Sequence, residues 1–329
     1  MRAAKSVLAL IVILASATAC RKAAPNSDGA RARGIALLDQ GKYDLAIQVL
    51  DSAIAKKPDD AEAYNSRGNA YAAKRELDRA IQNYDSAITL RPDNAFAYKN
   101  RGTSYASKDE FDHAIQDLDQ AIKIKPDFSG AFNSRGFAYY LKGDYERAVQ
   151  DYSQAIQLTP EGGAAYRNRA NALFVLGRFA EAAGDLERSL KHHKGTSATQ
   201  PAKYLDETGA YTVVWLHVAK MRQGQDDAAQ FATNSARVDP ATWPGPVIAF
   251  FDGKLTADQL VAGTTSAEER LRSDQRCGSE FFAGQVAMWK KQPEEARKRF
   301  EATRATCSKR YTEHATAVAE LGRLGTAPK

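Results

Sequence analysis

The sequence predicts an all-α protein, a right-handed superhelical solenoid of helical hairpins with a C-terminal capping helix. Two recurrences and a set of prolines carry this. A glycine or alanine returns every 34 residues at Gly34, Gly68, Gly102, Gly136 and Ala170, and an alanine does so at Ala46, Ala80, Ala114, Ala148 and Ala182. Pro58, Pro92, Pro126 and Pro160 keep the same spacing and stop the second helix of each unit before the next begins. A fixed period of this length marks stacked units, none of which buries its apolar face alone. Composition agrees, since 329 residues with 43% hydrophobic and 26% charged content make a globular chain and exclude disorder as its main state. Lys+Arg 46 against Asp+Glu 40 leaves a formal +6 spread along the chain, which argues against a nucleic-acid binder. Three cysteines and five histidines supply little material for a disulfide-built fold, a metal centre or an acid–base pair.

Taken in chain order, residues 1–19 are a signal peptide. Met1 to Lys5 form a basic head, Val7 to Ala15 an apolar run, and Ser16-Ala17-Thr18-Ala19 a small-residue cleavage zone. The apolar run is far short of the roughly 20 residues that a membrane span needs. Ala17-Thr18-Ala19-Cys20 resembles the bacterial lipobox, although that pattern prefers Leu where Ala17 stands. The resemblance implies lipid on Cys20; plain cleavage after Ala19 is the other reading. Arg21 stands where such lipoproteins carry Asp for inner-membrane retention, so the resemblance implies anchoring to the periplasmic face of the outer membrane. A soluble periplasmic or secreted protein is the alternative. Residues 20–26 are then a lipidated tether, about 20 Å long when extended.

Residues 27–196 hold five units. The Gly or Ala of the first helix and the Ala of the second mark where two antiparallel helices approach closely. Gly41, Lys74-Arg75, Lys108-Asp109, Gly143 and Gly177 mark the turns between them. Tyr64, Arg67, Gly68 and Tyr71, followed by Ala80, Tyr84 and Pro92, match the motif of the tetratricopeptide repeat family, which the chain closely resembles over these five units. Residues 197–276 are a divergent helical region. In it Tyr211, Val214, Trp215, Val218 and Met221, then Asp226 to Val238, pattern a degenerate sixth unit. Asp239 to Pro246 interrupts the helices, and the apolar stretch Val247 to Phe251 follows. Residues 277–329 restore the register as a last unit, with Gly284 at the eighth place, Ala296 at the twentieth and Pro293 at a helix start. Arg310 to Leu324 forms the capping helix.

Cys277 opens the first helix of this last unit and Cys307 lies just past its second, so the hairpin brings them together. With Cys20 set aside, two cysteines remain in a compartment where disulfides persist. A disulfide is expected, two separate buried thiols being the alternative.

In the tetratricopeptide family the second, fifth, sixth, ninth and twelfth residues of each first helix line the concave face. The resemblance therefore assigns a peptide-binding groove to Asn65, Lys99, Asn100, Asn133, Arg167 and Asn168 at the fifth and sixth places. It adds Asn69, Phe137 and Asn171 at the ninth, with Tyr140 and Phe174 at the twelfth. Asparagine donates and accepts, so a ladder of them holds an extended backbone whatever its side chains. Lys99 and Arg167 suit acidic groups of that peptide. A plain solvated helix face is the alternative. Arg33, Arg67, Arg101, Arg135 and Arg169 also recur every 34 residues, but Asn83, Asp117, Asp151 and Asp185 share a register on the second helix, and structural pairing is the expected role. Val49 stands at that place in the first unit.

No zinc-protease, nucleophile-elbow, Walker or Rossmann motif is present. His192-His193 is the only clustered pair and sits at a helix end. Neither enzymatic activity, nor a metal, nor any cofactor is expected, and no nucleic acid as partner. Beyond the repeats, the lipobox, Trp243-Pro244 leading into Val247 to Gly253, and Cys277 followed by Phe281-Phe282-Ala283-Gly284 and a terminal Ala319-Glu320-Leu321 helix resemble the NlpI-type outer-membrane lipoproteins. That resemblance implies a non-enzymatic periplasmic adaptor for cell-wall hydrolases or a processing protease, and a homodimer. A structural subunit of an outer-membrane assembly or secretion complex is the alternative function.

Overall fold

The computed structural model describes residues 27–193, 205–264 and 268–325. The signal peptide, Cys20 with its tether, and residues 194–204 lie outside them. The chain divides after Leu90 into two compact units.

The first unit holds two antiparallel hairpins. Helix α1 (Ser27–Asp39) pairs with α2 (Tyr43–Lys56), and α3 (Ala61–Ala73) with α4 (Leu77–Leu90). Asp60 caps α3 by accepting from the Ala63 amide at 3.1 Å, which satisfies one of the donors that a helix start leaves open. A Cβ on Gly34 would fall 2.6 Å from Leu50 Cγ, and one on Gly68 2.6 Å from Tyr84 Cε1. The missing side chain is thus what allows each pair of helices to touch. The chain reverses through left-handed residues, Gly41 at φ 70° and Arg75 at φ 65°.

The second unit continues the pattern with three hairpins: α5 (Ala95–Ser107) with α6 (Phe111–Ile124), α7 (Ser129–Lys142) with α8 (Tyr145–Leu158), and α9 (Gly163–Leu176) with α10 (Phe179–His192). Asp109, Gly143 and Gly177 again take positive φ. The recurring arginines join the two helices of a hairpin. Arg101, Arg135 and Arg169 each hold both carboxylate oxygens of Asp117, Asp151 and Asp185 at 2.6–2.8 Å. In the first unit Arg67 Nε donates to Asn83 at 2.7 Å, while Arg33, for which the repeat register offers Val49 in place of an acid or amide, stays exposed.

Beyond α10 the unit adds α11 (Glu207–Arg222), α12 (Ala228–Ser235), α13 (Gly245–Phe251), α14 (Ala257–Ala262), α15 (Glu269–Trp289), α16 (Pro293–Thr306) and α17 (Thr312–Gly325). In the α15–α16 hairpin a Cβ on Gly284 would stand 2.6 Å from Phe300, the same close approach as in the repeats. Helix α15 begins earlier than the spacing predicts, at Glu269, so it runs through the expected boundary at 276 and places Cys277 inside the helix. The core of this unit is aromatic. Phe174 packs on Trp215 at 4.6 Å between centroids, and Trp215 on Phe281 at 5.0 Å. Helix α17 packs on α16 and also reaches α9, where Arg323 donates to the Val175 carbonyl at 2.6 Å. Among the described residues no helix is long and apolar enough to cross a membrane.

Candidate functional site

The groove positions fall on both units. Asn65 and Asn69 lie half-buried on α3 of the first, and the Asn69 side chain accepts from the Tyr84 hydroxyl at 2.9 Å. The others belong to the second unit, whose first helices α5, α7 and α9 lie side by side. Lys99, Asn100, Asn133, Arg167, Asn168 and Asn171 are all half-buried there, and Phe137 is 40% exposed. Asn168 Nδ2 donates to Asn133 Oδ1 at 3.1 Å, which links two rungs of the row across neighbouring repeats.

Lys99 and Arg167 differ from the structural arginines. Among the described residues neither has an acidic side chain in ion-pair contact, and burial pushes the pKa of both below its ordinary value. For Arg167 the field of Asp206 offsets part of that shift. The paired Arg135 and Arg169 are instead held above the ordinary arginine value by hydrogen bonds to Asp151 and Asp185. A half-buried cation without a counter-charge is costly to the protein and attractive to an anion.

The twelfth place requires a correction. Tyr140 is 6% exposed and Phe174 fully buried, so neither faces an open groove. Tyr140 stands edge-on to Tyr145, with Thr312 and Glu313 of α17 beside its hydroxyl, and burial raises that hydroxyl's pKa. The physical reason is that α17 packs on α9 and reaches the Tyr140 hydroxyl, while Trp215 of α11 packs on Phe174. Large apolar residues outside the repeats, Trp215 and Phe281-Phe282, were the available sign that something had to be covered. Arg167 and Asn171 also line a cavity with residues of these later helices.

Cys277 and Cys307 are joined by a disulfide with Cα atoms 5.0 Å apart. The two histidines at the end of α10 part company: the His192 ring stacks on Tyr166, and His193 Nε2 lies 2.9 Å from Asp206. Among the described residues no group of three or more His, Cys, Asp or Glu side chains is arranged to hold a metal ion.

Models of the tetratricopeptide repeat match residues 31–95 and 95–128, and a TPR repeat model matches 136–177. No curated protein matches the chain. Among solved structures, Pseudomonas aeruginosa PilF is 18% identical with a TM-score of 0.55, over 70% of this chain and 97% of that one. PilW, described as a widely conserved type IV pilus biogenesis factor, is 15% identical with a TM-score of 0.54, over 64% of this chain and 90% of that one. At such identities the likeness concerns the fold. Residues 31–128 and 136–177, which these models match, are therefore tetratricopeptide repeats.

Proposed function

We propose that the protein is a non-enzymatic scaffold that holds extended segments of partner proteins against the inner side of its first helices. One observation carries this reading: an asparagine row on α5, α7 and α9 that includes two half-buried cations, Lys99 and Arg167, without acidic partners. Asparagines serve the partner's backbone, and the cations serve its carboxylates. The finer part of the proposal is an exported protein, lipidated at Cys20 and anchored to the outer membrane, whose partners are cell-wall hydrolases or a processing protease. It is supported by the export pattern of residues 1–20, by Arg21 and by the resemblance to NlpI-type lipoproteins, from which a homodimer also follows.

Cross-linking capture from native envelopes tests it, comparing the wild type with a variant carrying Asn100→Ala, Asn133→Ala and Asn168→Ala. Hydrolases or a protease captured by the wild type and lost from the variant are the expected outcome. Capture that is unchanged in the variant contradicts the groove. The second reading, a structural subunit of an outer-membrane assembly or secretion complex, is favoured by a separate apolar groove of about 800 Å³ lined by Phe250, Phe251, Val286 and Trp289, the last 54% exposed. It requires capture of assembly subunits that survives the asparagine changes and fails with Trp289→Ala.

A further inference from the structure

The second unit contains a cavity of about 350 Å³ whose walls come from α9, α11, Trp243, the first half of α15 and the link from α16 to α17. Its size lies at the lower end of the range for small-ligand pockets. Four rings, Tyr211, Trp215, Trp243 and Tyr311, form much of its surface. The Trp243 indole N–H donates to the Tyr211 hydroxyl, so the polar edge of that tryptophan is already satisfied. The wall that carries Tyr311 is held in place from both sides. The Cys277–Cys307 disulfide fixes it to α15, and Arg310 donates to the Ser107 carbonyl at 2.8 Å and pairs with Asp109 at 2.5 Å.

The charges of this cavity are only partly satisfied from within. Arg167 has no ion pair among the described residues, and the charge acting on it comes from Asp206, which is not part of the lining. Other walls carry Glu207, Asp274 and Glu313. Glu313 is 9% exposed, and among the described residues its carboxylate is met by its own backbone amide alone. Asp274 accepts from the Tyr311 hydroxyl and lies 3.9 Å from the exposed Arg270, so its charge is partly offset. All three carboxylates gather around Tyr211, where their fields add to burial in raising the phenol pKa. Incompletely offset charge of both signs therefore lines one aromatic cavity.

We infer that this cavity binds a free peptide of about two residues as a zwitterion, with its carboxylate on Arg167, its ammonium among Glu313, Asp274 and Glu207, and its side chains between the rings. An ammonium is favoured beside tryptophan and tyrosine faces as well as beside carboxylates. A cavity of about 350 Å³ has room for two residues with their side chains. Two residues span about 7 Å. A polypeptide terminus brings only one of the two charges. This site shares Arg167 with the proposed groove but takes a free dipeptide and not a segment of a partner; the asparagine variant used to test the groove leaves Arg167 in place, so the two proposals fail separately.

The test is the fluorescence of Trp215 and Trp243 in the full chain carrying Trp289→Phe, titrated with Ala-Xaa dipeptides and with their N-acetyl and C-amide forms. Free dipeptides give a saturable change, and either cap weakens binding by about tenfold or more. Glu313→Gln removes the penalty for acetylation and Arg167→Met the penalty for amidation, with helical circular dichroism unchanged in both. The inference is overturned if no dipeptide gives a saturable response or if capped forms bind as well as free ones. Tolerance of one cap only means that the site reads a polypeptide end, and the zwitterion assignment fails.

Discussion

At Gly68 and Gly136 a single methyl group separates a folded hairpin from a strained one. A Cβ at Gly136 would lie 2.9 Å from the Tyr152 ring, and one at Gly68 2.6 Å from Tyr84; both tyrosines are 1% exposed and have no space to withdraw. Gly68→Ala is expected to cost about 1–3 kcal/mol as an overpacked contact. Gly184→Ala, where nothing lies within 4 Å of the new atom, should instead raise stability by about 0.5–1 kcal/mol through helix propensity. Urea denaturation of the two variants decides the matter, because shifts of the same sign would show that the close approach has no energetic role. Glu313 sets a second expectation. Burial foremost, with Asp274 adding to it, raises its folded pKa from 4.5 to about 7. The folded state therefore binds this proton more tightly than the unfolded chain, and stability present below pH 4.5 is lost as pH rises to about 7. At about 1.4 kcal/mol per unit the loss is about 3 kcal/mol. Glu313→Gln cannot ionise, so it should flatten that slope and exceed the wild type in stability at pH 8; an unaltered slope in urea melts from pH 4 to 8 would contradict this.

Among the elements, hairpins α1–α2 through α9–α10 were legible because each is specified by residues within one 34-residue window: a glycine or alanine facing a large side chain, a left-handed turn residue and, in the first four, a proline after the second helix. The Arg–Asp pairs were legible for the same reason, since both partners sit at fixed places in one hairpin. Helix α15 was not read correctly at its start. The repeat register pointed to Cys277, but the preceding Glu269 to Arg276 extends the helix without any repeat landmark. This places the disulfide between the interior of α15 and the end of α16, closing 30 residues of chain. Loop closure of that length should contribute about 3–4 kcal/mol in the chain-entropy model. The double variant Cys277→Ala with Cys307→Ala is therefore expected to unfold at lower urea with its helix content intact beforehand. Equal midpoints for the variant and the oxidised wild type would contradict that contribution.

For the molecule as a whole, the inner cover of α7 and α9 was the part that repeat spacing could not reveal. Tyr140 and Phe174 occupy places that line the concave face in a repeat of this family, yet α17 covers Tyr140 and α11 covers Phe174, and the repeat spacing does not say where those later helices pack. The aromatic cavity was hidden for the same reason, because Arg167 and Glu313 meet across it from opposite ends of the unit's sequence. What the repeats did expose is the row from Lys99 to Asn171, and the scaffold function rests on it. Its most direct test is site-specific photo-cross-linking of a captured partner from Asn133→p-benzoylphenylalanine, with the exposed Glu301 on α16 replaced in the same way as a control. The account predicts partner adducts from position 133 and none from 301. Adducts from 301 alone, or equally from both, would contradict it.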